Sequence, residues 1–191
     1  KMSVESIEKT IKKITLPRPG HADLAGIMKF GFDDIRNVIE RSSARETAMR
    51  VALGSVCRKL LEEFNIYISS YVTSIYRVID QNDYTQLTPQ QITKKADKSQ
   101  VRSLSKDSEK EMIDAIKYAQ KNGDSVGGSF QIQISGVPYG LGSYTSWNEK
   151  LNSRLGDAIL SINGIKSFDI GNWNSESIEM YLFLQHSMVF L

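Results

Sequence analysis

"SFQIQIS", from Ser129 to Ser135, alternates Phe130, Ile132 and Ile134 with Ser129, Gln131, Gln133 and Ser135. Successive side chains of a strand point to opposite faces, so this two-residue period predicts a strand with one apolar face and one wet face. Gly127 and Gly128 precede it, and "GVPYGLGSY" follows with Gly136, Gly140 and Gly142. Glycine lets a backbone approach a ligand or another chain closely, so these residues punctuate the ends of the strand. They match no dinucleotide fingerprint and no phosphate loop, since neither G-x-G-x-x-G nor a following Gly-Lys-Ser/Thr is present.

Helical spacing flanks this strand. Met112, Ile113, Ile116 and Tyr118 carry a predicted helix from Ser108 to Lys121, closed by Asn122-Gly123 as a left-handed cap. Downstream, Leu151, Leu155, Ile159 and Ile162 carry another from Trp147 to Ile162, and "IKSFDI" (Ile165 to Ile170) reads as a short strand. Upstream, "NIYISSYVTSIYRV" (Asn65 to Val78) is rich in β-branched and aromatic residues and reads as strand. "DQNDYTQLTPQQITKKADKSQ" (Asp80 to Gln100) is polar and reads as a loop. A long helix is predicted from Phe32 to Asn65, with Ile35, Val38, Met49, Ala52, Val56 and Leu60 as its buried stripe. Alternating helices and strands, with no visible linker or repeat, predict an α+β or α/β chain whose 191 residues form one domain.

Composition excludes some roles. With Lys plus Arg at 24 and Asp plus Glu at 22, the net charge of +2 creates no overall field for nucleic acid or an anionic membrane, so any anion site is local. The single cysteine, Cys57, has no disulfide or zinc partners and reads as a small buried hydrophobe in a reducing cytosol. The opening "KMSVESIEKTIKKITL" lacks the apolar core of a secretory signal. "MYLFLQHSMVFL" (Met180 to Leu191) is too short for a membrane span, is broken by Gln185 and His186, and shows no clear helix or strand period.

Two stretches carry chemistry. Continuing the stripe of the long helix from Ile35 and Val38 lands on Ser42 and Arg45, so "RSSARET" sets polar groups on the face predicted to be buried. Either Arg45 faces a bound carboxylate or phosphate, or it joins a surface network with Arg41 and Glu46 while the stripe rotates. In "RPGHADLAG" (Arg18 to Gly26), Pro19 and Gly20 set a turn, Asp23 or His21 is placed to cap the next helix, and Arg18 stands near His21. A lone histidine near a cap is structural; beside an arginine, a neighbouring phosphate would raise its pKa and make it a proton donor.

"RPGHADLAG", "KFGFDDIRNVIERSSARETAMRVA", "NGDSVGG", "GVPYGLGSY" and "WNEKLNSRLGDAILSI", in that order, resemble the chorismate synthase family over roughly Leu16 to Gly171. The resemblance implies an α+β fold, a β-α-β sandwich with helices layered between antiparallel sheets, assembled as a cytoplasmic homotetramer. It implies 1,4-anti elimination of phosphate from 5-enolpyruvylshikimate 3-phosphate to give chorismate in the shikimate pathway. Reduced FMN is the implied cofactor, with NADPH in the supply of its electrons, and neither nucleic acid nor membrane is a partner. His21 matches the family's proton-managing histidine at the flavin. Arg18, Ser43, Ala44 and Arg45 match positions lining the anionic substrate, with Ser43 also near the cofactor. The glycine-rich stretches are assigned to fold and subunit contacts. No counterpart of the family's "GESHG" or "NGGISNG" segments is found, and residues 172–191 read as an atypical tail departing from the family. A non-catalytic chain keeping only the fold, anion binding or oligomer contacts is the alternative expectation.

Overall fold

The computed structural model describes residues 12–42, 44–174 and 177–184. The chain divides into two compact units, Lys1–Gly54 and Ser55–Leu191.

The first unit holds α1 (Asp23–Phe30), α2 (Arg36–Ser42) and the start of α3 (Ala44–Glu63). Gly31, in the left-handed region at φ 67°, ends α1, and its N–H donates to the Ile27 carbonyl at 2.8 Å. Gly26 lets α1 lie against α2, because a Cβ at that position would meet Val38 Cγ1 at 2.5 Å. Val38 is the buried apolar residue of α2, and Ile35, just before the helix, is buried with it. The segment before α1 is strapped to the start of α2: Ile35 N–H donates to the Ile14 carbonyl at 2.9 Å, and Arg36 Nη2 to the Lys12 carbonyl at 2.6 Å.

The helix predicted from Phe32 to Asn65 is therefore present as α2 and α3, with Ser43 between them outside the described residues. Its stripe is buried only at the start. Met49, Val56 and Leu60 are 63%, 70% and 61% exposed, and Cys57, expected to be buried, is exposed as well. A 3.6-residue period says which residues share a face but not what covers that face.

The second unit contains a five-stranded antiparallel sheet in the order β2-β1-β3-β5-β4. Its strands are β1 (Tyr67–Ile75), β2 (Val78–Ile79), β3 (Gly128–Ser135), β4 (Ile165–Asn174) and β5 (Ser177–Leu184). Its helices are α4 (Pro89–Ala96), α5 (Lys106–Lys121) and α6 (Leu151–Leu160). This is the α+β class expected, with one sheet among the described residues. The alternating segment Ser129–Ser135 is the central strand. Gly136 ends it at φ 77°, where a Cβ would stand 2.0 Å from the Asn65 carbonyl oxygen, so only glycine fits.

The two faces of β3 are the reverse of the sequence expectation. Gln131 and Gln133, predicted to be wet, are buried, while Phe130, Ile132 and Ile134 are half-buried against Leu151, Leu155 and Ile159 of α6. The polar face is covered because α4 sets Ile92 and Ala96 against Tyr71, with Tyr84, Leu87 and Leu104 around them. Buried polar groups are tolerated there where they are paired. The Tyr71 hydroxyl donates to Gln131 Oε1 at 2.6 Å, and the Ser129 hydroxyl lies within 2.8 Å of the hydroxyls of Thr73 and Ser74.

Two further stretches depart from their reading. The presumed loop Asp80 to Gln100 contains α4, started by a capping box: Thr88 Oγ1 accepts from Gln91 N–H, Gln91 Oε1 accepts from Thr88 N–H, and Pro89 opens the helix. Met180 to Leu184, read as having no period, lies in β5, hydrogen-bonded between β3 and β4. A strand paired on both sides needs no alternation to be held in a sheet. Residues 185–191 lie outside the described residues.

Candidate active site

The turn before α1 is built around one carboxylate. Pro19 and Gly20 reverse the chain, Gly20 adopting φ 73°, and this brings Arg18 back onto Asp23. Arg18 Nε donates to Asp23 Oδ2 at 2.8 Å, Nη2 to Oδ1 at 2.9 Å, and the Arg18 backbone N–H to Oδ2 at 3.0 Å. Asp23 is fully buried, whereas the Arg18 side chain is 40% exposed. The side-chain hydrogen bonds from Arg18, with its backbone N–H and charge, pull the Asp23 carboxyl down to about 2 against the burial that opposes ionisation. The positive field of nearby His21 adds to that pull.

Asp23 or His21 was expected to cap this helix. The N-cap is Ala22, which makes no side-chain cap bond, and Asp23 is the first residue of α1. Its carboxylate is the brace of the arginine, a role the sequence reading missed; the signal was an Arg and an Asp five residues apart across a Pro-Gly turn. His21 lies on this turn, exposed to solvent.

The second group of predicted residues lies at the start of α3. Ala44 is the first residue of α3, and Ser43 lies outside the described residues. Arg45 does not interrupt a buried stripe. Its side chain is 62% exposed and its Nη1 donates to Glu40 Oε1 of α2. Glu46, the other expected partner, accepts instead from Arg50 Nε at 2.7 Å through Oε1, and its buried Oε2 has no hydrogen-bond partner among the described residues. The structure thus brings Arg18, His21 and Asp23 together on one turn. Among the described residues, no hydrogen bond or ion pair joins that turn to Arg45.

Each arginine keeps hydrogen-bonding capacity. A guanidinium has five N–H donors, and Asp23 engages only Nε and one N–H of Nη2, so Nη1 of Arg18 remains for an anion. The Arg45–Glu40 pair is open to solvent, where such pairs contribute roughly 0–1 kcal/mol, so exchanging Glu40 for a ligand carboxylate is energetically cheap. An exposed imidazole beside a braced guanidinium can hold or release a proton next to an anion. Among the described residues no cluster of potential metal ligands occurs, and no helix is long and apolar enough to cross a membrane.

A family model for chorismate synthase matches residues 3–180. The chain is 48% identical over 170 residues to chorismate synthase of Alkaliphilus metalliredigens, covering 89% of this chain and 44% of that protein. It is 44% identical over 176 residues to the enzyme of the same name from Enterococcus faecalis, again covering 89% of this chain and 44% of the relative. The chain therefore spans less than half the length of these curated relatives. A crystal structure of chorismate synthase superimposes with a TM-score of 0.77 at 30% identity, covering 86% of this chain and 62% of that one.

Proposed function

The chain belongs to the chorismate synthase family, and from that premise we propose that it serves the elimination of phosphate from 5-enolpyruvylshikimate 3-phosphate to give chorismate. The observation that carries this reading is the turn on which Asp23 holds Arg18 by two side-chain hydrogen bonds beside an exposed His21. The substrate bears two carboxylates and a phosphate, so it needs fixed cations and a group that manages a proton. In this reading Arg18 offers Nη1 to the substrate, held by a carboxylate that stays ionised. Arg45 exchanges Glu40 for a substrate carboxylate. Ser43 and Ala44 line the same pocket, and His21 holds or releases a proton at an imidazole nitrogen.

The exposed imidazole of His21 makes no hydrogen bond among the described residues, so a ring nitrogen is free for the polar edge of a flavin. That fits one edge of reduced FMN, which when bound supplies electron density to the allylic system as phosphate leaves. NADPH as the source of its electrons, a cytoplasmic location, a homotetramer and a single chorismate-synthase-like domain with residues 172–191 as a divergent tail belong to the same proposal. Family membership supports the electron source, the location and the assembly, whereas the family match itself runs on to residue 180.

The test is anaerobic release of chorismate and phosphate by the full product of the native gene, supplied with reduced FMN. Arg18→Ala and Arg45→Ala are each expected to lower kcat/KM by roughly 10²-fold, as expected when a charge-assisted contact to substrate is lost. Glu40→Gln, which only frees Arg45, is expected to leave it within about threefold of wild type. A second reading is a non-catalytic chain that keeps the fold and, through the braced guanidinium of Arg18, anion binding. It is supported if the substrate binds, weakened by Arg45→Ala, while no chorismate forms.

A further inference from the structure

The polar face of the sheet contains a cavity that the reaction above does not use. It lies in the second unit, has a volume of about 150 Å³, and is lined by Tyr71, Gln131 and Gln133 of the sheet and by Asn82, Asp83, Tyr84 and Thr85. Gln131 and Gln133 are two residues apart on β3, so both side chains project from the same face, roughly 7 Å apart. They are only 8% and 7% exposed.

Their hydrogen bonding is incomplete. The Tyr71 hydroxyl occupies Gln131 Oε1 at 2.6 Å, which turns the Gln131 amino group away from that contact. The side-chain amide of Gln133 has no hydrogen-bond partner among the described residues, yet its atoms are not sealed in protein. They open onto the cavity. A carboxamide more than nine-tenths buried and unpaired is unfavourable unless something in the cavity pairs with it.

The rim defines the chemistry of that partner. Asp80 gathers Asn82 Nδ2 at 2.6 Å and the Tyr84 hydroxyl at 2.8 Å, which fixes the loop over the sheet. Asp83 Oδ1 accepts from Thr85 N–H at 2.9 Å, and this exposed carboxylate is among the lining residues. Among the described residues, no lysine, arginine or histidine lines the cavity. The lining therefore offers amide donors and acceptors at the floor and a carboxylate at the rim, a set that suits hydroxyl groups and repels acids. Its volume of about 150 Å³ is that of a cavity that holds benzene, so it takes one side of a six-membered ring whose other substituents remain at the open mouth.

We propose that this cavity binds a small neutral cyclic polyol, a pyranose or cyclitol, whose hydroxyls pair with Gln131, Gln133 and Asp83. The anionic substrate of the family is excluded from it by Asp83 and by the absence of a lining cation, so the site is separate from the turn at His21 in chemistry as well as in residues.

The test is a titration of the isotope-labelled chain with methyl α-D-glucoside and with myo-inositol, read by NMR at the side-chain amides of Gln131 and Gln133. Saturable shifts of those signals are expected, abolished in Gln133→Leu and weakened several-fold in Asp83→Ala. D-glucuronate, which adds a carboxylate to the same kind of ring, is expected to bind at least about tenfold more weakly. The absence of saturable shifts in wild type, an equal response to glucuronate, or unchanged binding in Gln133→Leu overturns the proposal. If Gln133→Leu does not fold, the Asp83→Ala rim variant decides, because its side chain lies on an exposed loop and unchanged binding there contradicts the polyol contacts.

Discussion

At the scale of single residues, the account turns on Asp23. Its carboxyl sits at about 2 in the folded chain against an ordinary 3.8, so the folded state binds fewer protons than the unfolded one between those values. The stability it contributes is therefore complete above about pH 4 and is lost as pH falls towards 2. Allowing for solvent at the open side of Arg18, that contribution is on the order of 1–2 kcal/mol. Asp23→Asn is expected to remove it at neutral pH and to flatten the acid limb of the unfolding curve, checked by urea denaturation at pH 7 and pH 3. An unchanged pH dependence in the variant would contradict the clamp. The residue types of this turn were legible in the sequence, and so was the nearness of Arg18 to His21. What Asp23 does was not legible, because a short acidic side chain before a helix reads as a cap until the fold shows an arginine reaching it. Arg45 shows the opposite limit: its place in the stripe was readable, but its exposure and its pairing with Glu40 depend on packing that no period encodes.

At the scale of elements, the strands and helices that were legible are those with a strong period and a definite stop. The closing Asn122-Gly123 appears as expected, with Gly123 at φ 64° and Asp124 N–H returning to the Ala119 carbonyl at 2.9 Å. The helix α4 was missed because its eight residues are too few for periodicity to emerge, although its Thr-Pro-x-Gln start was written in the sequence. The faces of β3 were inverted for a related reason: alternation separates two faces without saying which is covered. Packing supplies two predictions. Gly26→Ala places a Cβ 2.5 Å from Val38 Cγ1 and is expected to destabilise the α1–α2 pair by about 1–3 kcal/mol, read as a lower denaturation midpoint. Ile92 of α4, 1% exposed, should lose about 2–5 kcal/mol on substitution by alanine, while Leu60→Ala, at 61% exposure, should change stability by less than about 0.5 kcal/mol. Equal losses at the two positions would show that the exposed face of α3 is covered in solution.

At the scale of the whole molecule, the chain combines the scaffold of its family with a candidate site whose described residues lie in its first unit. The α+β class was legible from alternating periods, and the family from motifs whose order matters more than any one of them. What could not be read was the sheet order, in which β5 enters between β3 and β4 from a stretch of sequence without alternation. The central claim concerns His21: that an exposed imidazole on a braced turn manages a proton in the elimination. The most direct measurement compares anaerobic chorismate formation by the full product of the native gene with that of its His21→Ala variant, at saturating reduced FMN and substrate. Because His21 is exposed and bears no part of the core, the variant is expected to fold as stably as wild type. The account predicts a kcat lower by roughly 10²–10⁴-fold with substrate affinity nearly retained. A variant that turns over within about twofold of wild type would contradict it, and His21 would then be a surface histidine beside a structural clamp.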